Sequence, residues 1–217
     1  MGAGGTGAVD IAAAFTWAWA KFQANLQPLL ILGAVVGGVP FLIALFSLFV
    51  SGFFLTTFFW LAGMAASIVL SLLTVQAGLE VANTGTLNQQ EMFKIKANIG
   101  NYVIGSIIFF ALSLAGCLLL CIGLLFVYLI FGLWSFAVVD EGAGPTQAIM
   151  RSKDLVLGPG LGNTFLPMLV FLLFNAGGGF LAYGSRFAGL VAVFLAPFGA
   201  VLGAYIFKGL KGEAVAP

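Results

Sequence analysis

Residues 101–139 read NYVIGSIIFFALSLAGCLLLCIGLLFVYLIFGLWSFAVV, 39 residues without one charged side chain. A helix needs about 20 apolar residues to cross a bilayer. The run is too long for one ordinary crossing and slightly short for two plus a loop. A tight turn near Gly116–Gly123 makes it two short spans. One long span instead leaves the chain with five crossings rather than six. The basic residues separate these readings. With six spans and the N-terminus inside, Lys21, Lys94, Lys96, Arg151, Lys153, Lys208 and Lys211 all fall on the cytoplasmic side. Only Arg186 lies outside, seven against one. With five spans the split is four against four. Cytoplasmic loops carry an excess of Lys and Arg, so the count favours six.

The rest of the chain agrees with a membrane solvent. Hydrophobic residues make up 62%, charged residues 7%, and mean hydropathy is +1.16. Soluble domains carry roughly 25% charged residues, so this chain has too few to cover a surface in water. A net charge of +1 without a basic stripe argues against nucleic acid as a partner. Histidine is absent, which removes the commonest metal ligand and general base. Cys117 and Cys121 sit four apart inside the apolar run and read as packed thiols rather than a metal or redox pair. No signal peptide is visible, and residues 1–8 read as a flexible Gly-rich head.

Outward from the central run, Val9–Leu26 is helical but carries Asp10, Lys21, Gln23 and Asn25. Ile11, Phe15, Trp19 and Phe22 share a face, which predicts a helix lying in the interface, with Asp10 a favourable charge at its start. Span one is predicted over Pro28–Val50 with a bend at Pro40, then a short loop at Ser51–Thr57. Span two follows over Phe58–Glu80, anchored by Phe58, Phe59 and Trp60. The polar stretch Ala82–Gly100 could hold a second interfacial helix through Met92, Ile95 and Ile99. Thr146 is expected to cap a third short helix to Leu157, with Ala148, Ile149, Ser152 and Leu155 facing the membrane or bundle. Gly158-Pro159-Gly160 stops that helix. Span five is predicted over Thr164–Leu181, ending near Gly177-Gly178-Gly179, and span six over Phe187–Phe207. The expected fold is thus an all-α integral membrane protein: six transmembrane helices as three hairpins, with short interfacial amphipathic helices. It forms one domain over 9–211, followed by a short tail at 212–217. Lys21-Phe22-Gln23-Ala24-Asn25-Leu26 is similar to Lys94-Ile95-Lys96-Ala97-Asn98-Ile99, which suggests an interfacial helix plus hairpin repeated three times.

Small residues mark candidate helix seams: Gly33 and Gly37, then Gly63, Ser67 and Ser71 at four-residue steps, then Gly199 and Gly203. Asp140, Glu141, Arg151 and Lys153 form the densest charge cluster and a candidate rim for a partner or a lipid headgroup. Local ion pairs are its bland reading. Glu80, at the end of span two, is a candidate intramembrane acid. No nucleophile with a base, P-loop or dinucleotide fingerprint appears. No catalytic, cofactor-binding or metal-binding residue is expected.

Residues 116–157 resemble a known bacterial pattern. They run Gly116-Cys117-Leu118-Leu119-Leu120-Cys121-Ile122-Gly123, then Phe136-Ala137-Val138-Val139-Asp140-Glu141-Gly142, then Gly144-Pro145-Thr146-Gln147-Ala148-Ile149 and Ser152. The pattern is similar to that of six-helix proteins related to the membrane domain of glycerophosphoryl diester phosphodiesterases. That family places Pro-Gly where this chain has Gly123-Leu124. The resemblance implies a fold, not an activity, because the phosphodiesterase chemistry belongs to a separate soluble domain.

Together these readings lead to a non-catalytic protein of the bacterial cytoplasmic membrane, with both termini cytoplasmic. It would act as a scaffold or accessory subunit of a respiratory or envelope complex, with membrane lipids and other integral membrane proteins as partners. A small-solute or lipid transporter or channel is the alternative, with Pro40, Pro197 and Gly177–Gly179 breaking helices around a site.

Overall fold

The computed structural model describes residues 9–47, 49, 52–118, 122–184 and 188–217, with backbone alone at 44, 47, 176–184 and 188–192. The head at 1–8, Cys121 and Arg186 lie outside the described residues. Among these residues all regular structure is α-helical: α1 (Ile11–Ala24), α2 (Leu26–Ser47), α3 (Phe53–Thr84), α4 (Ile99–Leu118), α5 (Ile122–Phe131), α6 (Trp134–Glu141), α7 (Pro145–Leu157), α8 (Leu161–Gly184) and α9 (Ala188–Lys211).

Five helical runs are long and apolar enough to cross a membrane: α2, α3, α4, α5 with α6, and α9. A sixth follows if α7 and α8, bent by 118° at their junction, count as one. Exposure supports a lipid solvent. Phe49, Phe53, Phe54 and Leu118 are each four-fifths or more exposed, a disposition water would penalise.

α9 is the hub. It packs against α1, α2, α3 and α8, and more lightly against α7. Glycine makes two of these approaches possible. A Cβ on Gly33 of α2 would fall on the Val193 carbonyl, and one on Gly78 of α3 would fall on the Ala200 carbonyl. Both neighbours are α9 backbone, so no side chain can move aside. Gly105 of α4 similarly lies under the Trp134 ring, 2.5 Å from a would-be Cβ.

Several elements differ from expectation. The α2–α3 loop is shorter than Ser51–Thr57, because α3 already begins at Phe53. α3 runs 32 residues, or about 48 Å at 1.5 Å per residue. Its first half is little covered; fully buried positions begin at Leu70. The second interfacial helix does not form. In its place the Asn88 carbonyl accepts from the Glu91 and Met92 amides, and the Asn88 side chain accepts from Gln90. Gln76 of α3 then takes the Lys94 carbonyl and the Lys96 amide. The turn at Asn88–Met92 is not continued, because Gln76 takes the Lys94 and Lys96 backbone groups that a helix would pair. The proposed repeat therefore does not share a conformation: Lys21–Leu26 is helical apart from Asn25, whereas Lys94–Asn98 is irregular.

α1 is capped by Asp10, whose carboxylate accepts from the amides of Ala12 and Ala13. Its buried face is Ala14, Ala18 and Phe22; of the expected apolar stripe only Phe22 is buried, while Phe15 and Trp19 are exposed. The alanines let α1 lie close to α9. Phe15 and Trp19 flank that seam and, with Phe22, surround the Phe198 ring at 5.4–6.1 Å. α7 starts one residue before the expected Thr146 cap, with Gly144 as N-cap and Pro145 in the first turn. Ala148, Ile149, Ser152 and Leu155 are buried, as their spacing predicts. α8 continues through Gly177–Gly179 to Gly184, because a glycine run weakens a helix without stopping it. α9 continues past Phe207 to Lys211. Cys117 is exposed on the outside of α4, not packed inside the chain.

In the central run α4 and α5 pack against each other, and a Cβ on Gly116 would stand 2.9 Å from the Gly123 carbonyl. A break, at Gly132-Leu133, divides α5 from α6. Ser152 of α7 repairs it. Its hydroxyl donates to the Ile130 carbonyl at 2.9 Å and accepts from the Leu133 amide at 3.1 Å. Ser152 is fully buried, so no water can replace it. Ser152→Ala is expected to cost about 1–3 kcal/mol, the penalty for orphaning buried backbone groups. Ser113→Ala, which removes only a bond to its own helix at Phe109, is the control. Equal unfolding midpoints for the two variants would remove Ser152 from this role.

Candidate functional site

The polar residues gather at one end of the bundle, in two charge clusters. The first is built on the ends of α6 and α9. Asp140 and Glu141 are the last two residues of α6. Lys208 and Lys211 lie three apart on the last turn of α9 and so share a face. Asp140 meets Lys208 at 3.1 Å and Lys211 at 2.7 Å, and Lys211 also reaches Glu141 at 3.2 Å. Beyond Gly212, whose φ of +72° turns the chain back, Glu213 bridges both lysines at 2.7 Å. Arg151 of α7 closes the outer edge on Glu141 at 3.3 Å. The Lys211 ammonium also stands 5.1 Å above the Phe207 ring. Three cations thus face three carboxylates. The side chains of Asp140, Lys208 and Lys211 are only 9–11% exposed, so each charge depends on its partners.

Burial pushes the Glu213 carboxyl up, but the Lys208 and Lys211 ammonium groups outweigh it and hold it below the ordinary 4.5. A carboxylate lowered in this way stabilises the folded arrangement above its ordinary value. That contribution is lost as pH falls through the lower folded value.

The second cluster surrounds Glu80, four residues before Thr84, the last residue of α3, with Gly85 its cap. Glu80 pairs with Lys96 at 3.1 Å and accepts the Asn88 amide at 3.4 Å. Lys96 also meets Glu91 at 3.1 Å. Lys96, foremost, and the Lys94 charge hold the Glu91 carboxyl below 4.5. The structure therefore places Glu80 under the 85–98 loop.

Two buried amides fasten that loop. Asn25 donates to the Lys21 and Gly85 carbonyls and accepts the Leu87 amide at 2.8 Å. Gln76 binds Lys94 and Lys96 as described. Residues 212–217, expected as a short tail, lie across the same end as a strap. The Ala216 amide donates to the Ala82 carbonyl, the Trp17 indole donates to the Ala216 carbonyl, and the Lys21 ammonium reaches the Pro217 carbonyl.

Of the expected rim, the structure brings Asp140, Glu141 and Arg151 together. Lys153 makes no ion pair among the described residues. Sequence reasoning missed Lys208, Lys211 and Glu213 as members, since about 70 residues separate them from Asp140. Gln76 was the readable signal, an amide inside an apolar helix. The small residues meet different neighbours. Gly33 faces α9, with Gly37 one turn further along α2. A Cβ on Gly63 would stand at ordinary contact, 3.6 Å, from Ile43. Ser67 is exposed with its hydroxyl on the Gly63 carbonyl, and Ser71 meets the Tyr102 hydroxyl at 2.9 Å. Gly199 and Gly203 admit Phe174 and Phe171 of α8, and Gly203 also admits Phe136 of α6. No family model, curated protein or solved structure matches the chain.

Proposed function

We propose that the chain is a six-span protein of a bacterial cytoplasmic membrane, arranged as three hairpins with both ends cytoplasmic, and that it works as a non-catalytic scaffold or accessory subunit. The observation that carries this reading is the far half of the α2–α3 hairpin. Phe41, Phe46, Phe53, Phe54, Phe58 and Trp60 are each 60% or more exposed there, and no charge interrupts them. A charge-free aromatic face of this kind is open to another membrane protein as well as to lipid, and large aromatic side chains are the usual anchors where proteins meet. The opposite end of the bundle is tied by ion pairs and amide staples, which gives the hairpin a rigid base. Support for the orientation comes from Lys21, Lys96, Arg151, Lys208 and Lys211, which all join the connected polar end. Kinship with the membrane domain of glycerophosphoryl diester phosphodiesterases belongs to the same proposal, as a statement about fold ancestry alone.

A photo-reactive side chain at Phe54, in native membranes, tests the scaffold role. The expected product is a recurrent adduct with one protein, absent when the probe sits at Ile107 of α4. Lipid adducts alone, with a solitary monomer after mild extraction, would refute it. Solute flux in proteoliposomes would favour a transporter instead.

A further inference from the structure

The strap at 212–217 is held by contacts of unequal kind. Ala216 and Pro217 are tied by single hydrogen bonds to Ala82, Trp17 and Lys21, Val215 packs on the edge of the core, and the Glu213 amide donates to the Lys208 carbonyl at 2.9 Å. Glu213 alone is held by two charges, its two oxygens shared between Lys208 and Lys211 at 2.7 Å. These lysines are nine-tenths covered, yet the Glu213 side chain between them is 42% exposed. A carboxylate fills the open mouth of the paired ammonium groups, and it comes from a segment that turns back at Gly212. Lift Glu213 away and the cluster holds Lys208, Lys211 and Arg151 against Asp140 and Glu141, one net positive charge at the polar end of a membrane bundle. Asp140 and Glu141 keep the lysines in place when the mouth empties.

We propose that Lys208 and Lys211 form a seat for a phosphate-bearing anion, and that Glu213 occupies it as an internal stand-in until such an anion displaces the strap. A phosphate offers several acceptor oxygens where the carboxylate offers two, so it satisfies both ammonium groups. A lipid headgroup at that depth and a free phosphate share this chemistry. The inference requires the chain to be embedded in a membrane. It holds whether or not α2–α3 docks on another protein.

The test follows the strap with a spin label at Ala214→Cys, in the full chain carrying Cys117→Ser and Cys121→Ser, in vesicles. In phosphatidylcholine, whose phosphate is balanced by its own quaternary ammonium so that the headgroup carries no net charge, the label is expected to be immobile. Adding phosphatidylglycerol to the vesicles converts it to a mobile form if headgroups are the ligand. Inorganic phosphate in phosphatidylcholine vesicles does so if free anions are. Either outcome supports the seat. Glu213→Gln, which removes the internal competitor but leaves both lysines, is expected to be mobile in phosphatidylcholine alone. The proposal is overturned if neither phosphate source frees the wild-type label, or if chloride at equal ionic strength frees it as well. It is equally overturned if the Glu213→Gln strap stays immobile.

Discussion

Gly78→Ala is expected to destabilise the protein by about 3 kcal/mol, near the upper end of overpacking costs. The added methyl would meet the carbonyl carbon of Ala200 at 2.6 Å. That atom is main chain in the hub helix, so relief requires α3 and α9 to separate along their contact. Gly38→Ala on α2 is the matched control. A Cβ there meets nothing within 4 Å, and alanine is better than glycine in a helix interior by about 0.5–1 kcal/mol. The two variants should move the unfolding midpoint in opposite directions. A shared direction would mean that the α3–α9 approach is looser than described.

Asp140→Ala should be the second large effect, about 2–4 kcal/mol, because two nearly covered lysines lose the carboxylate between them. Glu213 and Glu141 remain, which keeps the cost below that of a wholly unpaired charge. Arg151→Ala, at the exposed outer edge, should cost no more than about 1 kcal/mol. Adding Lys208→Met to Asp140→Ala should restore part of the loss, since one of the stranded charges leaves with it. Chemical unfolding of the four proteins in one detergent checks the order. If Arg151→Ala proves as costly as Asp140→Ala, the burial assigned to the inner pairs is wrong.

Local patterns in the chain carry most of the architecture. The approach of Gly116 to Gly123, the break at Gly158-Pro159-Gly160, the apolar face of α7 and the placing of Asp10 at the start of α1 each follow from residues close together in sequence. What the pattern hides are decisions made at a distance. Residues 88–99 have helical spacing, yet Gln76 draws the Lys94 and Lys96 backbone away from a helix. α1 has its large apolar residues on one stripe, but its alanines form the buried face because α9 must come close. The inner ion cluster joins Asp140 to Lys208 and Lys211, and no spacing rule connects residues so far apart. The candidate rim was therefore half legible: Asp140, Glu141 and Arg151 cluster locally, while the residues that give the cluster its depth come from the far end of the chain.

The length of α3 has a consequence for the bilayer itself. From Phe53 to Leu79 its apolar stretch rises about 40 Å, against a hydrocarbon thickness of about 30 Å. Its foot is pinned beside α9 at Gly78 and under the loop at Glu80, so the excess must be absorbed higher up. A lean of about 40°, or lipids drawn up around the aromatic tip, brings the two lengths into register. Membranes of longer acyl chains would relieve that mismatch, which makes lipid length a determinant of how upright the hairpin stands.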